Sequence, residues 1–220
     1  RDTIPGDIHV LVIADLKKPL TDDEQEYLQR YVDKGGNLFI LATATRQELL
    51  NPVTRSLGVY FEPGILVQNH KQHQQDLILG EITSEAIHFS PEFFSNKASG
   101  KCITMPRAVA INCNGQSDFR ITPILETSAK GCWNEQETID FVNQVATLGP
   151  GEQEKSYPLM VMLDREVGSK KQYILVVGCA DCISNGELTR TRNDVNSNNY
   201  SLIMESFRVL GDGVFPVDVS

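Results

Sequence analysis

One segment near the start of the chain restricts the possible folds more than any other. Residues 8–14, IHVLVIA, form an almost uninterrupted apolar, β-branched run, typical of a strand buried on both faces of a parallel sheet. A helix is predicted to begin after Thr21, because Thr21-Asp-Asp-Glu24 has the pattern of a capping box, and to end at Gly35-Gly36. A second apolar strand follows at residues 37–42. Strand, helix and strand in this order predict a right-handed βαβ unit.

The rest of the chain mixes strands with a few helices. Strands are predicted at 65–69, 77–83, 109–113, 119–127, 157–165 and 172–178, and helical segments at 46–58, 84–99 and 198–210. Asn114-Gly115 predicts a hairpin between the third and fourth of these strands, and the turn around Gly168 predicts one between the last two. Residues 135–145 are predicted as a short amphipathic helix or an irregular excursion. We therefore expect one α/β domain over residues 1–220, with a mostly parallel sheet and some antiparallel additions.

Charge narrows the possible partners. Among 220 residues, 20 are Lys or Arg and 29 are Asp or Glu, which gives a formal net charge of −9. Nucleic acids and anionic membrane surfaces are bound by clustered basic residues, and the densest basic pairs along the sequence are Lys17-Lys18 and Lys170-Lys171. Composition therefore argues against a nucleic-acid partner and against direct binding to an anionic membrane surface, so that we expect membrane contact only through flanking segments.

Catalytic motifs are missing or incomplete. The sequence contains no Walker A loop, no dinucleotide fingerprint and no Gly-x-Ser-x-Gly elbow. His70-x-x-His73 could place two imidazoles together, but it lies in a glutamine-rich loop without a carboxylate or thiol at ligand spacing. We expect no metal site and no cofactor.

The five cysteines leave two enzymatic hypotheses open. Cys179-Ala-Asp-Cys182 is a C-x-x-C at the end of a predicted strand, as in a redox module, and either thiol could serve an amidotransferase-like hydrolase. Gly131-Cys132-Trp133 resembles a papain-type segment only superficially. In both enzyme families the general base is a histidine downstream of the cysteine, whereas all four histidines lie upstream of these three cysteines. Packing of small residues at a strand exit is the simpler interpretation of the C-x-x-C.

Polar residues follow three of the predicted strands. Ligands of open α/β sheets bind outside the carboxyl ends of the strands, so these residues are candidates for a binding site, although loop capping and Asx-turns are the simpler explanation. The candidates are Asp15, Thr43, Thr45, Asp181, Ser184 and Asn185.

Four segments together resemble one protein family. Residues 8–42, 119–133 (FRITPILETSAKGCW), 173–185 (YILVVGCADCISN) and the closing helix 199–210 are similar, in the same order, to the GldG-like auxiliary domain of ABC-type transport systems. Two positions depart from its pattern, since Cys179 stands where an acid is frequent and Val209 where a tryptophan is usual.

The resemblance implies both a fold and a role. It implies a three-layer, flavodoxin-like or class I amidotransferase-like sandwich that has lost the catalytic cysteine and histidine. It also implies a non-catalytic, extracytoplasmic (periplasmic) domain of a longer protein, tethered by flanking membrane segments. The implied partners are an ABC permease and a separate ATPase, as in gliding-motility systems, together with a small-molecule or glycan ligand.

Overall fold

The computed structural model describes residues 4–211, and its helices and strands are numbered in chain order. The helices are α1 (Asp22–Asp33), α2 (Asn51–Ser56), α3 (Pro91–Ala98), α4 (Asn185–Leu188) and α5 (Asn199–Leu210). The strands are β1 (Val10–Ala14), β2 (Asn37–Leu41), β3 (Tyr60–Phe61), β4 (Ile65–Gln68), β5 (Leu77–Ile82), β6 (Ile103–Pro106), β7 (Ile111–Asn112), β8 (Arg120–Glu126), β9 (Cys132–Glu135), β10 (Pro158–Val167) and β11 (Lys170–Val177). Short 3-10 turns occupy Gln47–Leu50, Glu85–His88 and Asp181–Ile183.

The predicted βαβ unit is confirmed. The Thr21 hydroxyl accepts a hydrogen bond from the Glu24 N–H at 3.3 Å, and the Glu24 carboxylate accepts one from the Thr21 N–H at 2.8 Å. These two bonds form the capping box that starts α1. The helix ends at Asp33, Gly35 stops its continuation with a φ of +84°, and the Gly36 N–H bonds back to the Tyr31 carbonyl at 3.0 Å. β1 and β2 then pair in parallel, with Val12 opposite Phe39.

The expectation of a mostly parallel sheet is wrong. Over residues 4–211 the main sheet has seven strands in the order β1-β2-β11-β10-β8-β5-β6, and parallel pairing there is confined to β1-β2 and β2-β11. From β11 onward every neighbouring pair is antiparallel. Only Gly168-Ser169 separates β10 from β11, and parallel neighbours need a crossover of about a dozen residues or more. The hairpin predicted at Gly168 therefore lies inside the main sheet, and from this hairpin onward neighbouring strands run antiparallel.

The first strand also differs from expectation, because β1 is an edge strand rather than one buried on both faces. Val12 is 44% exposed and Ile8, just before the strand, is 37% exposed. A continuous apolar run does not by itself distinguish a central strand from an edge strand.

The hairpin predicted at Asn114-Gly115 and the helix alternative for residues 135–145 are wrong as well. β7 pairs with β3 instead of β8, with Tyr60 opposite Asn112. The Asn114-Gly115 turn packs against another turn, since the Gly115 N–H donates to the Gly58 carbonyl at 3.1 Å. Residues 136–145 follow β9 as turns and loop, which is the irregular excursion.

Helices cover both faces of the sheet, so the expected three layers are present. On one face Leu38 and Ile40 of β2 pack with Leu28 and Val32 of α1. On the other face the Phe39 ring meets Phe207 of α5 edge-on, with ring centroids 5.4 Å apart. The alternation of side chains along β2 supplies the central contacts of both cores.

Candidate functional site

The three parallel strands end at the same edge of the sheet. Asp15 follows β1, Thr43 follows β2, and Asp181 starts the 3-10 turn after β11. Pairing continues past the strand ends, since the Ala180 N–H donates to the Ala42 carbonyl at 2.7 Å. The structure therefore brings the six predicted residues to one edge, in two separate groups.

The first group is an ionic cluster around Asp15. Its carboxylate accepts hydrogen bonds from the side chains of Lys17 and Arg46. The bonds from Lys17 and Arg46, in that order, and a further one from Thr43 lower the pKa of the Asp15 carboxyl to about 2. Asp15 is thus ionised throughout the physiological range. We call Asp15, Lys17, Thr43 and Arg46 the Asp15 cluster.

Backbone geometry shapes the Asp15 cluster. Asp15 has a φ of +50° and Thr45 a φ of +71°, a region that residues other than glycine rarely adopt. The Arg46 N–H donates to the Thr43 carbonyl at 3.1 Å, closing a tight turn that directs Arg46 back to Asp15. Such strained backbone is found preferentially at functional sites. The Thr45 side chain is exposed beside this turn.

Arg46 is the residue that sequence analysis missed. Nothing in the spacing of Asp15 and Arg46, 31 residues apart, indicates their contact. The only available signal was that both follow the ends of adjacent parallel strands. The Arg46 Nε is buried without a hydrogen-bond partner among residues 4–211.

The second group consists of Asp181, Ser184 and Asn185, which make hydrogen bonds within their own turns and helix α4. The Ser184 hydroxyl accepts from the Glu187 N–H at 3.2 Å and caps α4, while the Asn185 carbonyl accepts from the Thr189 hydroxyl at 2.8 Å. The Asp181 side chain is exposed, and its carbonyl accepts from the Ser184 N–H at 3.0 Å. Within the described range, no hydrogen bond joins these residues to the Asp15 cluster. Loop capping accounts for their positions.

The C-x-x-C thiols are part of the hydrophobic core. Cys179 and Cys182 are each 2% exposed, and both are free thiols. The Cys182 thiol donates to the Cys179 carbonyl at 3.0 Å, and the Cys179 thiol donates to the Pro106 carbonyl at 3.1 Å. Burial, and then the neighbouring Cys182, raise the pKa of Cys179 well above its ordinary value. A nucleophilic or redox cysteine needs the opposite shift.

The glycine before this motif also has a structural explanation. A Cβ at Gly178 would lie 2.1 Å from the Val109 carbonyl oxygen, so the crossing chain leaves no room for a side chain there. Cys132, in the papain-like segment, is buried within β9, and burial raises its pKa to about 11.

The two histidines of the His-x-x-His segment have other partners. The His70 Nε2 lies 2.6 Å from the Leu77 carbonyl, and the His73 Nε2 lies 2.9 Å from the Asp194 carboxylate. Among residues 4–211, no group of three or more His, Cys, Asp or Glu side chains is placed to hold a metal ion. Over the same range, no helix has the length and apolar character needed to cross a bilayer.

Comparison with known proteins gives one matching family and two similar solved structures. The model of the family described as "ABC-type uncharacterized transport system" matches residues 1–206. No curated protein matches the chain. Among solved structures, the mmIFT52 N-terminal domain superimposes with a TM-score of 0.62 at 14% identity, over 95% of this chain and 79% of that one. A ThuA-like protein from Bacteroides uniformis gives a TM-score of 0.48 at 15% identity, over 90% and 68%. At such identities the first likeness concerns the fold alone.

Proposed function

The chain belongs to the family of auxiliary proteins of ABC-type transport systems, and from this membership we propose that it is a binding domain that works beside an ABC permease and a separate ATPase. The family match over residues 1–206 is the observation that carries the proposal. The absence of a Walker A loop from these 220 residues supports the assignment of nucleotide hydrolysis to another subunit.

We further propose that the domain binds rather than catalyses, and that it is of the GldG-like type found in gliding-motility systems. The state of the C-x-x-C supports a role without thiol chemistry, because both sulfurs are buried and the pKa of Cys179 is raised. The similarity of residues 8–42 and 173–185 to the GldG-like pattern supports the subfamily.

The Asp15 cluster is the proposed contact site. It presents an ionised carboxylate, a guanidinium, an ammonium group and the Thr43 hydroxyl at a strand-end edge, where α/β folds place their ligands. These groups suit the hydroxyls of a glycan or other small molecule and the polar rim of a permease. Arg46 is the central residue, since its side chain is 36% exposed and one of its nitrogens lacks a partner among the described residues.

Co-purification tests this assignment. The full-length protein is expressed with the permease and ATPase of its own transport system, and the complex is isolated from detergent-solubilised membranes. Wild type is expected to retain both subunits, and Arg46→Glu to lose most of the permease. Lys18→Glu is the matched control, because it makes the same charge change at an exposed neighbour.

Two results would contradict the assignment. Failure of wild type to retain either subunit would remove the association with the transporter. Equal retention by Arg46→Glu and Lys18→Glu would place the contact elsewhere, provided that both variants melt like wild type.

We also propose an extracytoplasmic location with membrane anchors flanking the domain. Protease added to intact spheroplasts is expected to degrade the domain without lysis, while a cytoplasmic control protein survives. Protection until lysis would place the domain on the other side of the membrane.

A further inference from the structure

A groove of about 650 Å³ opens at the end of the molecule opposite the Asp15 cluster. It lies at the amino ends of β1 and β2 and is bordered by the end of α1, the start of β11 and the end of α5. Residues 4–6 and 210–211 both line it, so the first and last described segments of the chain meet there.

A set of hydrogen bonds fixes the floor of this groove. The Tyr31 hydroxyl donates to the Asn37 carbonyl at 3.1 Å, and the Asn37 side-chain amide donates to the Leu210 carbonyl at 2.7 Å. The Asn37 side-chain oxygen accepts from the Tyr173 N–H at 2.8 Å. α1, β2, β11 and α5 are thereby held together, so the groove is a preformed feature.

The groove is basic although the protein is acidic. Its charged lining residues are Arg30, Lys34, Lys170 and Lys171, with His9 beside them, and among residues 4–211 no Asp or Glu lines it. This contrasts with a formal net charge of −9 for the chain. The sequence did not indicate the cluster, because Arg30 and Lys34 come from the end of α1 and the other two lysines from a hairpin far along the chain.

Neighbouring groups neutralise only part of the positive charge in the groove. Arg30 pairs with Glu26 at 2.5 Å, outside the groove. The carboxyl ends of α1 and α5 each contribute about half a negative charge. Over residues 4–211, no carboxylate lies within salt-bridge distance of Lys34, Lys170 or Lys171, while the Asp7 carboxylate is exposed on the neighbouring loop. The Lys171 ammonium lies 5.2 Å from the centroid of the Tyr173 ring, and Glu166 is its partner across the hairpin. Among residues 4–211, Lys34 and Lys170 therefore supply most of the groove's excess positive charge.

We propose that this groove receives the phosphate of an anionic phospholipid headgroup and that this end of the domain rests on the membrane surface. The inference rests on the proposed membrane anchors, since both segments that would continue into them line the groove. Lysines attract anionic headgroups, and tyrosines such as Tyr27 and Tyr31 are enriched at membrane interfaces. The exposed Ile8 beside them adds an apolar contact at the same surface.

Vesicle binding tests the proposal with the 220-residue chain itself. Sedimentation with vesicles of phosphatidylglycerol and phosphatidylcholine is compared with sedimentation with vesicles of phosphatidylcholine alone. Wild type is expected to bind only the anionic vesicles, and less at higher salt. The variant Lys170→Gln/Lys171→Gln should bind roughly 30-fold more weakly. Lys71→Gln/Lys130→Gln is the matched control, since it removes the same charge from two exposed lysines outside the groove.

A second experiment, with inorganic phosphate, distinguishes binding of a phospholipid headgroup from binding of free phosphate. If the groove serves a free phosphate, phosphate should raise the melting temperature of wild type above that in chloride of equal ionic strength, and anionic vesicles should not bind. That outcome, absence of vesicle binding altogether, or equal binding by the two double variants would each overturn the proposal. None of them would affect co-purification with the permease, so failure here is separable from failure of the proposed function.

Discussion

At Gly35 the backbone has a φ of +84°, a conformation that costs an L-amino acid about 1–2 kcal/mol. A Cβ there would also lie 3.3 Å from the Cβ of Val167. We expect Gly35→Val to lower the free energy of unfolding by about 2 kcal/mol or more, measured by urea denaturation. Gly35→Asn should lose less, because asparagine tolerates this region best after glycine. Equal midpoints for wild type and the valine variant would show that α1 ends elsewhere.

The ionised state of Asp15 makes a pH-dependent contribution to stability. Hydrogen bonds from Lys17 and Arg46 lower its pKa from 3.8 to about 2 in the folded protein. A carboxyl with a lowered folded pKa stabilises the fold above its unfolded pKa, and that contribution disappears as the pH falls through the folded value. Asp15→Asn should therefore be less stable than wild type above about pH 4, and the difference should shrink toward pH 2. Thermal melts across this range measure it, and a difference independent of pH would contradict the assignment.

Among the elements, α5 is joined to β6 and to the segment after β11 by one buried side chain, that of Asn199. The Asn199 amide accepts from the Thr104 N–H at 3.0 Å and donates to the carbonyls of Thr104 at 2.7 Å and Cys182 at 2.9 Å. Asn199 thus joins α5, β6 and the segment after β11. It is 5% exposed, and sequence patterns gave no indication of this role.

Removing the Asn199 side chain should leave several buried backbone groups without partners. We expect Asn199→Ala to destabilise the protein by about 3 kcal/mol. Asn196→Ala, at an exposed position three residues earlier, should change stability by less than about 0.5 kcal/mol. Chemical denaturation of both variants provides the measurement. A small effect at Asn199 would mean that water replaces its hydrogen bonds.

Local signals explain which elements could be predicted and which could not. The caps at Thr21 and Gly35 and the hairpin at Gly168 are encoded within a few residues, so these features were predicted correctly. Whether the sheet is parallel or antiparallel depends on which strands become neighbours. β10 pairs with β8 although about thirty residues separate the two strands in the sequence. β1 has the apolar run of a central strand, yet no later segment up to residue 211 pairs with its outer side. Such pairings between distant segments leave no local pattern.

The candidate site was predictable to a similar extent. Asp15 and Thr43 follow adjacent parallel strands, so their approach followed from the βαβ unit alone. The contact with Arg46 depends on the turn at Thr45, whose positive φ the sequence does not indicate. Asp181, Ser184 and Asn185 reach the same edge because β11 pairs with β2, but side chains of this type also cap turns.

At the scale of the whole molecule, burial of the thiols predicts how slowly they react. Cys179 and Cys182 lie in the core, whereas Cys102 and Cys113 are half-buried. In the native protein at mildly alkaline pH, iodoacetamide should modify Cys102 and Cys113 well before Cys179. Modification of Cys179 should follow global unfolding, so its rate should rise with urea as the folded fraction falls.

Single Cys→Ser variants assign the modified sites by mass spectrometry. Rapid modification of Cys179 in the native protein would restore the hypothesis of a reactive thiol. It would also indicate that the segment after β11 opens without unfolding of the sheet.

The block formed by β1, β2 and β11 has a mechanical consequence. These strands run side by side in one direction for about 17 Å, from the basic groove to the Asp15 cluster. If the membrane holds the groove end of the domain and a partner pulls on the end with the Asp15 cluster, tension acts along the strands. Their hydrogen bonds, which lie across that direction, then share the load as a row instead of opening one after another. A hinge or a single helix in this position would lengthen under tension, whereas this three-stranded block would transmit the force with little extension.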